Sequence, residues 1–175
     1  MLDHTPSGLF KVFSVVKHWL DKIVSWFCIS IITLMTILVT YQVIVRYVFN
    51  DPSAVSEVLS RYLFIWLVLF GSALVFGLKE HMAISFIKEK FSHKTQIIVE
   101  AFIELAIVTF ALSIMIFGGY SSATRQMWQL DSALQIPMGT IYAAIPISGA
   151  LMVFYFIYNE LQLVERWKQL RSSAE

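Results

Sequence analysis

Glu100 and Glu104 stand four residues apart in a stretch that is otherwise largely apolar, so a helix there carries both carboxylates on one face. Ionisable residues inside a membrane span are functional candidates, and two acids one turn apart could relay a proton or hold a cation. The competing reading is structural. Acids near a helix N-terminus are favoured by the dipole and can pair with lysines or a second protein, and Glu104 would lie only about 10 Å along a helix starting near Ile97. The structural reading is preferred. His4, His18, His81 and His93 invite comparison with haem-binding membrane subunits, yet all four fall outside the apolar runs, which suits solvated or capping histidines. Cys28 is the single cysteine, which excludes an intrachain disulfide or a cysteine metal cage. The chain has no G-x-x-x-x-G-K phosphate loop. No nucleophile, base and orienting residue can be assembled, so neither catalysis nor a cofactor is expected of this chain.

A second constellation lies between Arg46 and Trp66, RYVFNDPSAVSEVLSRYLFIW, a half-polar interlude between two apolar segments. Asp51-Pro52 reads as a helix start, because Asp can accept from the first free N–H groups and Pro suits the first helical position. Beyond it, Ala54, Val55, Val58, Leu59 and Tyr62 recur at helical spacing, with Ser53, Ser56, Glu57, Ser60 and Arg61 opposite. Glu57 and Arg61 are placed to pair across one turn. Arg46, at the end of the preceding apolar run, could merely snorkel to lipid phosphates. The preferred hypothesis is that Arg46, with Asn50, Glu57 and Arg61, forms a docking patch for an acidic surface. Arg125 and Asp131 are weaker candidates of the same kind. Two pairs of small residues, Ala73 with Gly77 and Ala144 with Ser148, would let helices approach closely in a bilayer, although small residues are common in spans in any case.

The elements that must position these residues follow from composition. The 175 residues are 58% hydrophobic and 14% charged, with mean hydropathy +0.71, which is far too apolar for a soluble domain. The fold class expected is an all-α integral membrane protein, one domain over 1–175. Spans are expected at about 23–45, 62–78, 97–120 and 141–158. The first gives roughly 35 Å of helix against a hydrocarbon core of about 30 Å. Residues 9–22 read as an amphipathic leader lying in the headgroup region, an anchor rather than a signal peptide. Residues 52–61 read as an amphipathic helix continuing into the second span, residues 79–96 suggest a short surface helix, and 159–175 form a tail. Pro146, inside the fourth span, leaves the Tyr142 carbonyl without its usual donor and should bend that helix.

Four spans put both termini on one side, and the positive-inside rule chooses which. Lys11, Lys17, Lys22, Lys79, Lys88, Lys90, Lys94, Arg166, Lys168 and Arg171 are ten of the thirteen basic residues. All ten lie in the N-terminal segment, the 79–96 connection or the tail, so both termini are expected in the cytoplasm, with the 46–61 interlude and the 121–140 loop outside.

At these residues the chain resembles a known family, the small membrane subunit, or Q component, of tripartite ATP-independent periplasmic (TRAP) transporters. The resemblance runs from about Gln42 to Tyr158. It is carried by Arg46-Tyr47-Val48-Phe49-Asn50-Asp51-Pro52, by Ser56-Glu57 with Leu59 and Arg61, by Lys79-Glu80-His81, by Ile136-Pro137-Met138-Gly139 and by Tyr142-Ala143-Ala144-Ile145-Pro146. The family commonly has a tryptophan and a second acid where Val55 and Val58 stand, and often an aspartate where Ser85 stands, so no role is carried over to those three positions. The resemblance implies a non-catalytic brace in the inner membrane, working with a large many-span permease subunit that holds the substrate and sodium sites. It implies a periplasmic substrate-binding protein as second partner, with Arg46, Asn50, Glu57, Arg61 and Arg125 as docking residues. Ala73, Gly77, Glu100, Glu104, Ala144 and Ser148 are then expected to meet the large subunit. Family substrates are mostly carboxylates, and overall resemblance leans towards sialic acid. Partners are thus two proteins and the bilayer, with no nucleic acid.

Two rivals predict different behaviour. A self-contained small transporter or channel would use Glu100 and Glu104 and move solute unaided. A membrane anchor of a respiratory enzyme would show haem absorbance or quinone binding.

Overall fold

The computed structural model describes residues 8–78 and 93–172; the 79–92 connection, with its expected surface helix, lies outside them. The described residues are helical apart from short connections and one isolated bridge between Leu130 and Pro137. Four stretches are long and apolar enough to cross a membrane: Val12–Val48, Ala54–Gly77, Ala101–Arg125 and Met138–Val164.

The leader and the first span, expected as separate pieces, form one uninterrupted helix, α1 (Gly8–Val48). No proline or glycine falls between Leu9 and Val48 to break it. The polar residues Lys17 and Asp21, expected to face headgroups, turn inward. They begin a covered seam of Lys17, Asp21, Val24, Cys28, Ile31, Met35, Leu38, Gln42 and Val45, along which the spacing alternates between four and three. That 3.5-residue period keeps one stripe against a neighbouring helix under left-handed supercoiling. The neighbour is α2 (Ala54–Gly77), joined near the start of α1 by the last long helix.

The third span is composite: α3 (His93–Phe110), a π-helical stretch (Ala111–Gly118) and α4 (Gly119–Arg125). After a loop come α5 (Met138–Tyr142) and α6 (Ala144–Ser172). The helix is interrupted at residue 143, next to the Tyr142 carbonyl that the missing N–H of Pro146 cannot serve. Helix α6 packs against α1, α2, α3 and the π-helical stretch, so the spans are arranged side by side in the order first, second, fourth, third.

Close approach explains several small residues. A Cβ on Gly149 would stand 2.8 Å from the Met115 Cβ in the π-helical stretch, and one on Gly77 would stand 2.5 Å from the Tyr155 ring. Ala73, Ala144 and Ser148 are completely covered, and Gly77 is buried. These four were expected to meet a large subunit; the structure corrects this, since their small size serves contacts inside this chain. Around them Trp66 stacks on Phe70 at 5.4 Å and Phe27 meets Phe70 at 4.9 Å. In lipid such packing, rather than exclusion of water, holds helices together.

The α1–α2 turn and the 126–137 loop lie together at one end of the bundle, the loop end, as the Ser56–Ser53 and Tyr62–Asp131 bonds from the first turns of α2 require. The start of α1 and the close of α6 mark the opposite, terminal end.

Candidate functional site

The loop end holds the expected docking residues. Helix α1 stops where Asn50 adopts the left-handed conformation at φ 51°, and the Phe49 and Asp51 N–H groups return to the Val45 carbonyl at 3.2 and 3.3 Å. Asn tolerates that conformation better than most residues, which accounts for its type here. The chain then passes through Pro52 to Ser53, whose backbone is extended. The cap of α2 is Ser53, not the expected Asp51: its hydroxyl accepts from the Ser56 N–H at 3.4 Å, while Ser56 Oγ donates to the Ser53 carbonyl at 3.0 Å. Glu57 falls in the first turn, where the helix dipole favours an acid.

The two faces expected of 52–61 are also redistributed. Gln42 on α1 donates from Nε2 to the Ser56 carbonyl at 2.7 Å and to Ser60 Oγ at 2.9 Å, which draws the serine side inward. Ser56 is buried and Val55 is exposed. This segment is therefore the first turns of a span docked on α1, not a helix floating on an interface. Glu57 and Arg61 remain outside and pair at 3.2 Å, as their spacing predicts. With both side chains more than half exposed, the pair adds little stability. Arg46, in the last turn of α1, and Arg125, in the last turn of α4, are exposed at the favourable C-terminal ends of their helices.

Asp131 is tied in more firmly than its sequence context suggested. Its Oδ1 accepts from the Ala133 and Leu134 N–H groups, each at 2.8 Å, and its Oδ2 accepts from the Tyr62 hydroxyl of α2. Donation by Tyr62 and by those backbone groups, with the positive charge of Arg61 nearby, holds the Asp131 carboxyl below the usual carboxylate range. Backbone bonds from Asp131 N–H to Ile136, from Gln135 N–H to Asp131 and from Met138 N–H to Gln129 complete a folded loop. The Tyr62–Asp131 clasp joins residues far apart in sequence. A local signal existed only in Asp131 followed by Ser132, the start of an Asx-type turn.

A second polar cluster occupies the terminal end. Lys17 and Asp21 pair at 2.7 Å with side chains only 14% and 20% exposed, and the Lys17 ammonium lies 5.7 Å from the Tyr155 ring centroid and 5.4 Å from that of Tyr158. Phe13 stacks with Phe154 beside them at 6.2 Å. Asn159, one turn after Tyr155, is also buried. Glu104 is buried in α3 at 5% exposure, and because α3 starts at His93 it lies deeper in its helix than expected, roughly 16 Å by rise. It is therefore covered by this chain rather than offered to a second protein. Glu100 lies on the same helix; its side chain is outside the described residues.

The family model described as tripartite ATP-independent periplasmic transporters, DctQ component, matches residues 35–166. The chain belongs to the DctQ family. It is 32% identical over 137 residues to a TRAP transporter small permease protein of Haemophilus influenzae, covering 78% of this chain and 84% of that one. It is 26% identical over 160 residues to the sialic acid TRAP transporter small permease protein SiaQ of Vibrio cholerae, covering 91% and 92%. A third relative, the sialic acid TRAP transporter permease protein SiaT of Haemophilus influenzae, is 24% identical over 139 residues, which are 79% of this chain but 22% of that one. DctQ components are transporter subunits without catalytic activity, and this one is a multi-pass membrane protein.

Proposed function

We propose that this DctQ subunit braces a large permease subunit in a sodium-driven carrier for an organic acid, with a leaning to sialic acid, and gives a periplasmic binding protein part of its landing surface. The observation carrying this reading is how the chain disposes of its polar groups. Lys17 pairs with Asp21 within α1 and lies over rings of α6, Gln42 joins α1 to the α2 serines, and Tyr62 holds Asp131 of the loop on α2, so these groups are spent inside the chain. The flanking first and third spans expose apolar side chains such as Ile37, Val43, Phe110, Ile114 and Phe117. A bundle of this kind suits lipid and a larger apolar partner better than a hydrated path. That SiaT contains a matching stretch amounting to about a fifth of its own length supports a working unit of small and large parts. The sialic acid leaning rests on the names of SiaQ and SiaT.

In this reading the protein sits in the inner membrane with both termini in the cytoplasm, and the loop end faces the periplasm with Arg46, Asn50, Glu57, Arg61 and Arg125 exposed on it. Sodium is bound by the large subunit. The test is uptake in proteoliposomes. Transport should require the large subunit and the binding protein together, and transport by this chain alone would overturn the proposal. Arg46→Glu should lower uptake several-fold while co-purification with the large subunit is unchanged. Unaltered uptake would mean that Arg46 meets only lipid.

A further inference from the structure

The 126–137 loop holds its most apolar side chains away from its own bundle. Trp128 is 93% exposed, and Met127, Leu130 and Ile136 are exposed with it. The loop is not free to fold these groups inward. The Leu130–Pro137 bridge, the backbone bonds of Asp131, Gln135 and Met138, and the Tyr62–Asp131 clasp fix its shape from several directions. A tryptophan side chain presents 150–250 Å² of largely apolar area, so a rigid loop displaying one bare to water forgoes a large gain.

We propose that this loop is a membrane anchor, with Trp128 and its apolar neighbours seated in the headgroup and ester layer of the bilayer at the loop end. The first argument is continuity. Phe110, Ile114, Phe117 and Tyr120 are exposed along the third span, and after the mostly polar residues 121–126 the exposed apolar groups resume at Met127 and Trp128. The apolar flank of a membrane span is thus followed, within two helical turns, by the apolar groups of the loop. The second is depth. A loop exposes backbone polar groups that the hydrocarbon centre does not accommodate, whereas the boundary layer accepts them and favours the ring and N–H of tryptophan. The third is charge. Met127, Trp128, Leu130 and Ile136 carry none, so the charged groups on which a binding protein would land lie beside this patch and not in it. A soluble protein landing on charged groups would instead find a patch of indole, thioether and aliphatic carbon. This inference is independent of which solute the transporter carries.

The test compares the full chain, reconstituted with any chain that co-purifies, with its Trp128→Phe variant in vesicles of phosphatidylethanolamine and phosphatidylglycerol. The replaced side chain is almost fully exposed, so the variant should fold, and subtracting its fluorescence from that of the parent isolates the emission of Trp128. That signal should lose most of its intensity when the lipids carry bromine near the top of the acyl chain, and little when iodide is added to the water. Quenching by iodide without quenching by bromolipid would place the loop in water and overturn the proposal. Quenching by neither would mean that another protein covers the loop, and would overturn it equally.

Discussion

Replacing Gly77 by alanine tests the packing of the whole bundle at one point. A Cβ built there falls 2.5 Å from two carbons of the Tyr155 ring and 2.6 Å from a third, roughly 0.9 Å inside ordinary contact. The ring has little room to retreat, since Tyr155 is completely buried, with the edge-on Phe154 ring at 6.0 Å and the Lys17 ammonium at 5.7 Å. Overpacking of this kind costs about 1–3 kcal/mol. Exchanging glycine for alanine inside a helix returns up to about 1 kcal/mol, so the steric term wins and a net loss near 1–2 kcal/mol is expected. By size scaling for chains of this length, that lowers the melting midpoint by roughly 2–8 °C. The built-in control is Gly71, in the same helix, where a Cβ would meet nothing within 4 Å and Gly71→Ala should be neutral or mildly stabilising. The assay is thermal unfolding in detergent followed by retention of a monodisperse peak. Tyr155→Leu, combined with Gly77→Ala, should recover part of the loss. If Gly77→Ala proves as harmless as Gly71→Ala, the packing of α2 on α6 is not as described.

Other expectations concern the polar ties. Tyr62→Phe or Asp131→Asn should loosen the 126–137 loop, read as faster amide hydrogen exchange there with little change in α1. Because the Asp131 carboxyl is held below its ordinary value of 3.8, its contribution is fully present above that pH and is lost as pH falls through the lowered value. Loop protection should therefore be level through neutral and mildly acidic pH and drop only in strong acid, a profile that Asp131→Asn should abolish. Lys17→Met leaves Asp21 largely buried without its cation and should destabilise by about 1–3 kcal/mol, whereas Lys17→Met with Asp21→Leu should recover much of that. A double-mutant cycle on thermal midpoints measures the difference.

Four spans, the helix interruption before Pro146 and the Glu57–Arg61 pair were legible from apolar run length, a missing donor and one-turn spacing. What escaped reading were features decided by distant partners. Lys17 and Asp21 look like headgroup-facing residues until the Tyr155 and Tyr158 rings on α6 supply a place to bury their pair. Ser56 and Ser60 look solvent-facing until Gln42 offers them donors across a helix interface. The cap moved from Asp51 to Ser53 because the left-handed Asn50 and the extended Ser53 delay the first helical turn. Periodicity cannot reveal that Tyr62 finds Asp131, or that Gly77 is small because Tyr155 needs its space.

The alternation of four and three along α1 makes that helix a ruler. Lys17, whose ammonium lies over the Tyr155 and Tyr158 rings of the fourth span at one end, and Gln42, bonded to the second at the other, lie on that one stripe of fours and threes. One inserted residue would swing everything beyond it by about 100°, and the two attachments could not both be kept. The length of α1 is therefore quantised: its two ends are locked in phase, and whole sevens are the changes it can absorb without losing one of them.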